Sequence, residues 1–164
     1  MSTSGLWHLI KWIHFLALAL WIGGIVFLAV IAAPAIHGSM ASKAMAGEIV
    51  GRILRRLNAV ELAAWLVLIL TLLAAHQFIP GRSRMLSYLL LGVFLMGLVT
   101  AFYAFSLTPK MRALKEKVPA LEMLGPDHTV KQEFDRLHHL YVKLMSLNLV
   151  LGMGVLYGSV VIFK

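Results

Sequence analysis

Seven histidines, nine methionines and no cysteine occur among 164 residues, and this inventory limits the chemistry open to the chain. Without thiols there are no disulfides, no cysteine-ligated metals or iron–sulfur clusters, and no covalent haem attachment through a CxxCH motif. Any metal must be held by His, Met, Asp or Glu. His14 stands out. It lies in an uncharged run of 25 residues from Trp12 to Ile36, seven positions before Trp21 and close to the pair Gly23-Gly24. An ionisable group inside a segment long enough to cross a bilayer is costly unless it has a partner or a task.

At helical spacing His14, Leu18, Trp21 and Ile25 form one stripe, so His14 is expected to point into a bundle. His8, His14 and His76 fall toward one end of the apolar stretches, and His37, His128, His138 and His139 toward the other. At roughly 1.5 Å per residue His14 sits about 10 Å beyond Trp7, while His76 is only about 6 Å in from Pro80. A bis-histidine site between them therefore needs helix tilt or a register offset, and Met153 on the last span offers a His/Met pair instead. His138 shares a stripe with Met145, Leu149, Gly152 and Leu156 and is expected to continue the buried face outward. With His37 at a similar level, and Glu61, Asn58 and Asn148 nearby, it could hold Zn, Cu, Fe or a porphyrin edge. The plainer alternatives are that His14 bonds to a neighbouring helix or relays protons, and that the outer histidines bond to lipid phosphate or to Glu61.

Four apolar stretches, near residues 12–36, 59–76, 85–107 and 144–163, must position these groups. The chain is 60% hydrophobic and 13% charged, with mean hydropathy +0.86. Soluble domains are roughly half apolar and a quarter charged. The expected fold is all-α: one domain over residues 1–164, an integral membrane four-helix bundle with helices extended beyond the bilayer on the long-loop side. The first stretch is too long for a secretory signal core of about 7 to 15 residues. Ile49, Val50, Ile53, Leu54 and Leu57 share one helical face, opposite Glu48, Arg52, Arg55 and Arg56. Met111, Leu114, Val118 and Leu121 repeat the pattern, with Pro119 expected to kink or break the helix and Asp127 to cap one starting near His128. Gly23, Gly24, Gly92, Gly97, Gly152, Gly154 and Gly158 let helices approach closely, or make room for a flat macrocycle. Gly154 and Gly158 form a GxxxG that reads as packing within the chain, and a homodimer stays open. Trp7 and Trp12 read as an interfacial aromatic belt.

The net charge of +8 is explained by topology. Of 15 basic residues, Lys11, Arg82, Arg84 and Lys164 lie on the side of the termini, and the other 11 lie on the side of the two long loops. The positive-inside bias then places the long loops in the cytoplasm and the termini outside, with a bacterial inner membrane as the expected location. Attraction to anionic lipid accounts for the basic balance, and nucleic acid is not an expected partner.

The stretch APAIHGSMASKAMAGEIVGRILRRLN from Ala33 to Asn58, with LTPKMRAL from Leu107 and FDRLHHLYVKLMSLNLVLG from Phe134, resembles a small four-span membrane family of unknown function that includes transmembrane protein 205-like proteins. The first span is also similar to HemJ-type protoporphyrinogen oxidases and to CopD-like membrane domains. His14, Trp21 and Gly24 match the oxidases' spacing of a histidine, a tryptophan seven residues on and a glycine three further, which that family uses in binding haem b. The likeness implies haem b ligation by His14, with Trp21 and Gly24 beside it. The oxidases' lysine in the third span has no counterpart between Met85 and Leu107, so their reaction does not carry over.

The expected function is that of a membrane b-type haem protein for electron transfer or haem handling. His14 is the favoured axial ligand, and His37, His76, His138 and Met153 are the candidates for further ligands. Membrane lipid is an expected partner, and quinol or a redox protein would exchange electrons. A haem-dependent membrane oxidoreductase is the enzymatic form of that expectation. A copper or other metal-ion transporter is one alternative, although Met45, Met85, Met96, Met111 and Met145 form no MxxxM ladder. A cofactor-free structural or assembly subunit is another. There is neither a nucleophile elbow nor a phosphate loop.

Overall fold

The structure is a computed structural model that describes residues 3–79, 83–118, 121, 124, 125 and 128–164. Helix α1 (Thr3–Val26) passes through a π-helical turn, Phe27–Ala32, into α2 (Ala33–Ser39), and α3 (Lys43–Ala75) returns across the bundle. Helix α4 (Ser83–Phe102) passes through a second π-helical turn, Tyr103–Leu107, into α5 (Thr108–Lys117), and α6 (Thr129–Ile162) closes the bundle. Each of the four rods is long and apolar enough to cross a membrane, and no strand occurs among the described residues. The second, third and fourth rods reach well beyond the apolar stretches on the side of the long loops, as the amphipathic faces predict.

Proline explains both π-helical turns. A proline inside a helix removes one N–H and clashes with the carbonyl four residues earlier, so the preceding turn widens. Pro34 and Pro109 each stand two residues after the wide turn. Thr108 then donates its hydroxyl to the carbonyl of Tyr103 at 2.9 Å.

The helices form a ring in which α1 packs on α3, α3 on α4, α4 on α6 and α6 on α1. Leu18, Trp21, Leu68, Val93, Met96 and Val155 are buried at its centre. Contact in a bilayer depends on close backbone approach rather than on apolar burial, and glycine supplies it here. A Cβ on Gly24 would collide with Leu57, one on Gly158 with Leu89, and one on Gly97 would overlap the Trp65 indole. Gly154 faces outward with nothing near it, so the GxxxG pair is split between inner and outer surfaces.

Two sequence expectations change. His128, not Asp127, caps α6, since its ring nitrogen accepts from the Val130 amide at 3.3 Å; Pro119 and Asp127 lie outside the described residues. Trp7 is half-buried between Phe78 and Phe163, at 5.3 Å from each ring, while Trp12 alone of the pair has the exposure of a belt residue. The Lys11 ammonium reaches the carbonyl of Phe163 at 3.3 Å, placing a cation at the C-terminal end of α6 where the helix dipole favours one.

Candidate functional site

Two polar layers interrupt the apolar interior. The layer nearer the termini is built on His14, which is fully buried. Its Nδ1 lies 2.8 Å from Thr71 Oγ1 and its Nε2 lies 2.9 Å from Ser159 Oγ. The Thr71 hydroxyl gives its single hydrogen to the carbonyl of Leu68 at 3.0 Å, so toward His14 it can only accept. Nδ1 therefore carries a hydrogen toward Thr71, and Nε2 shares a hydrogen bond with the Ser159 hydroxyl. The rings of Phe15 and Phe163 close around it, with centroids 5.8 and 4.9 Å away. One α1 histidine thus ties α3 to α6 with every ring nitrogen engaged.

The layer nearer the long loops is larger and centres on Glu61. Tyr103, at the start of the second π-helical turn, donates its hydroxyl to Glu61 Oε2 at 2.5 Å. The Asn148 amide nitrogen supports that phenol from 3.2 Å and donates to Thr100 Oγ1 at 2.8 Å, while Thr100 and Tyr103 hydroxyls lie 3.0 Å apart. Donation therefore runs from α6 through α4 to the carboxyl on α3. One turn outward, the Tyr141 hydroxyl donates to Asn58 Oδ1 at 2.7 Å, and its ring packs on Tyr103 with centroids 4.8 Å apart. Glu61, Tyr103, Asn148 and Tyr141 are all buried. Two oxygens here, Glu61 Oε1 and Asn148 Oδ1, are buried without a hydrogen-bond partner among the described residues.

Glu61 and Thr71 are ten residues apart on α3, and Asn148 and Ser159 are eleven apart on α6, which separates the layers by about 15 Å. Among the described residues no side-chain hydrogen bond joins them. The apolar core fills the interval, and the Trp21 indole within it has an unpartnered Nε1.

Of the residues singled out by sequence, His14 and Trp21 are buried in the bundle with Leu18 and Ile25, as the stripe predicts. Gly24 sits against Leu57 and serves helix packing. His37 and His76 are exposed at the two ends. His138 does not continue the buried face: it is exposed, stacked on Phe134 with ring centroids 6.2 Å apart and edge-on to His139. Met153 is 52% exposed on the outer surface of α6, facing away from His14. Glu61 bonds to Tyr103 rather than to a histidine. Among the described residues no three His, Asp or Glu side chains gather as a metal site. Tyr103, Thr100, Tyr141, Thr71 and Ser159 were not visible in advance as partners. The available signal was that Glu61 is the one acid in the apolar stretches, which requires donors from neighbouring spans.

No curated protein and no solved structure matches the chain. Residues 16–119 match the model of a family described as a domain of unknown function, DUF4149. That stretch holds Asn58, Glu61, Thr71, Thr100 and Tyr103 and makes up well over half of the sequence: the chain belongs to the DUF4149 family.

Proposed function

We propose that this is a proton-binding membrane protein in which Glu61 and Tyr103 hold an exchangeable proton. The observation that carries the proposal is the buried Glu61 carboxyl, bonded on one oxygen by the Tyr103 phenol and unpartnered on the other. Ionisable groups within membrane spans mark proton relays and ion paths more often than structural contacts. A purely structural network would satisfy every buried polar atom, as the one around His14 does. The Glu61 layer instead leaves two acceptor oxygens open, where a proton or a water is added without dismantling the helices. Asn58 and Tyr141 link it toward the long-loop side, from which the proton arrives. Binding and release of a proton at a buried carboxyl is the elementary step of proton-linked transport and of pH sensing in a membrane.

Infrared difference spectroscopy of the protein in lipid, stepped in pH, tests this directly. A protonated-carboxyl band should appear in the wild type, vanish in Glu61→Gln and shift in Tyr103→Phe. If no titrating carboxyl band is lost in Glu61→Gln, Glu61 does not exchange a proton.

Haem b at His14 is the second proposal, supported by the depth and full burial of that residue and by the likeness of the first span to HemJ-type and CopD-like proteins. Iron ligation requires Nε2 to give up Ser159 and Phe163 to withdraw, so the arrangement described here does not fit the group. Electron exchange with quinol or a redox protein depends on that haem, whereas the transmembrane protein 205-like relationship and an inner membrane with cytoplasmic long loops are proposed independently of it. The oxidised and reduced visible spectra of the purified protein decide it. Sharp reduced α and β bands that His14→Ala abolishes would establish haem ligation, and a colourless protein expressed with haem supplied would exclude it.

A further inference from the structure

An open groove of about 310 Å³ lies between α3 and the turn that joins α4 to α5, touching the layer nearer the long loops only at Asn58. We propose that it binds the phosphate headgroup of an anionic membrane lipid between Arg55 and Arg112, with an acyl chain lying over Leu62 and Phe105. Three features of the groove carry this proposal. First, the charges and the apolar surface are at matching depths on both walls. Helix α3 runs inward and the α4 to α5 rod runs outward, so Leu62 is seven residues, about 10 Å, deeper than Arg55, and Phe105 is equally far below Arg112. The guanidiniums thus stand where the last charges precede the apolar stretch, at headgroup level, and the lower walls stand in hydrocarbon.

Second, the floor is polar and underused. Asn58 is buried, its Oδ1 accepts from Tyr141, and its Nδ2, which carries two hydrogens, reaches Thr108 Oγ1 at 3.5 Å, the outer limit of a hydrogen bond. Asn58 lines the groove together with two guanidiniums whose planar forks suit phosphate oxygens. Arg112 engages Glu116 through Nε, at 2.7 Å on the exposed side. Third, Pro109 and the widened turn before it shape the wall, since Phe105, Thr108 and Pro109 line the groove at the point where the helix departs from α geometry. Free phosphate offers the same headgroup chemistry, but it would leave the apolar lower half empty, so the lipid is the expected source.

Native mass spectrometry of the full detergent-purified chain, given phosphatidylglycerol, phosphatidylcholine or inorganic phosphate, tests the proposal. One phosphatidylglycerol per chain should be retained in preference to phosphatidylcholine. Retention should fall at least tenfold in Arg55→Gln/Arg112→Gln and at least threefold in each single variant, which covers the case of a poorly folded double variant. Arg52→Gln is the control, because Arg52 is exposed, pairs with Glu48 and lies outside the groove. Equal retention in the Arg55 and Arg112 variants and the wild type overturns the proposal. So does an equal loss in Arg52→Gln, which would mean that overall charge suffices. Phosphate that displaces the lipid at equal concentration would overturn the lipid as occupant.

Discussion

Replacing Tyr103 by Phe should cost the bundle about 2 kcal/mol. The phenol oxygen has three neighbours: Glu61 Oε2 at 2.5 Å, Thr100 Oγ1 at 3.0 Å and Asn148 Nδ2 at 3.2 Å. Hydrogen bonds between membrane helices average about 0.6 kcal/mol and reach about 1.7, so the loss of three contacts, one of them to a carboxyl, gives the stated sum. The ring remains, so packing against Tyr141 and burial of the side chain are kept and no cavity adds to the loss. Glu61→Gln should cost less, about 1 kcal/mol, because the amide oxygen still accepts from Tyr103 and only the extra strength of a carboxyl acceptor is lost. The double variant should fall short of the sum by about 1 kcal/mol, since the pair is in direct contact. Reversible unfolding by dodecyl sulfate in bicelles, followed by the four tryptophans, measures all four corners. A Tyr103→Phe cost within 0.3 kcal/mol of zero, or strict additivity, would refute the claim that the phenol holds the carboxyl.

Gly97→Ala should destabilise by about 1 to 3 kcal/mol, because its Cβ overlaps the rigid Trp65 indole. Gly154→Ala, with no neighbour within reach, should be neutral or gain up to about 1 kcal/mol on the same unfolding curve. Nitrogen NMR of labelled His14 should show a hydrogen on Nδ1 at neutral pH, and Ser159→Ala, which removes the hydroxyl bonded to Nε2, should cost about 1 kcal/mol. A reporter fused after Lys164 should be exported if the long loops are cytoplasmic, and a cytoplasmic reporter would reverse that orientation.

Most of the scaffold was legible before any coordinates. Four apolar runs, the His14 to Ile25 stripe and the amphipathic face from Ile49 to Leu57 give the number of spans, the inward side of α1 and the extension of α3 beyond the membrane. The site was legible only in its rarest letters. Glu61, Asn58 and Asn148 are conspicuous because polar groups are scarce in such runs, whereas Tyr103 and Ser159 look ordinary until another helix is set beside them. His138 shows the limit of a stripe, which tells which residues share a face and not how far along the helix that face is covered. The widened turns were missed because a proline in a membrane helix announces a disturbance without saying whether the chain will kink or widen.

The apolar interval between the polar layers also sets how the proposed proton site would respond to voltage. Glu61 lies five residues, about 8 Å, inside Arg56, which is roughly a quarter of a hydrocarbon layer about 30 Å thick. A full crossing of an elementary charge is worth about 2.3 kcal/mol per 100 mV. A proton moving between the long-loop surface and Glu61 therefore feels about 0.6 kcal/mol per 100 mV. The remaining three quarters of the field drop across Leu68, Val93, Met96 and the His14 layer beyond them, where no side-chain hydrogen bond among the described residues continues the path. Glu61 is thus electrically close to one face: it would follow the acidity of that compartment closely, the membrane potential weakly, and the acidity of the other compartment hardly at all.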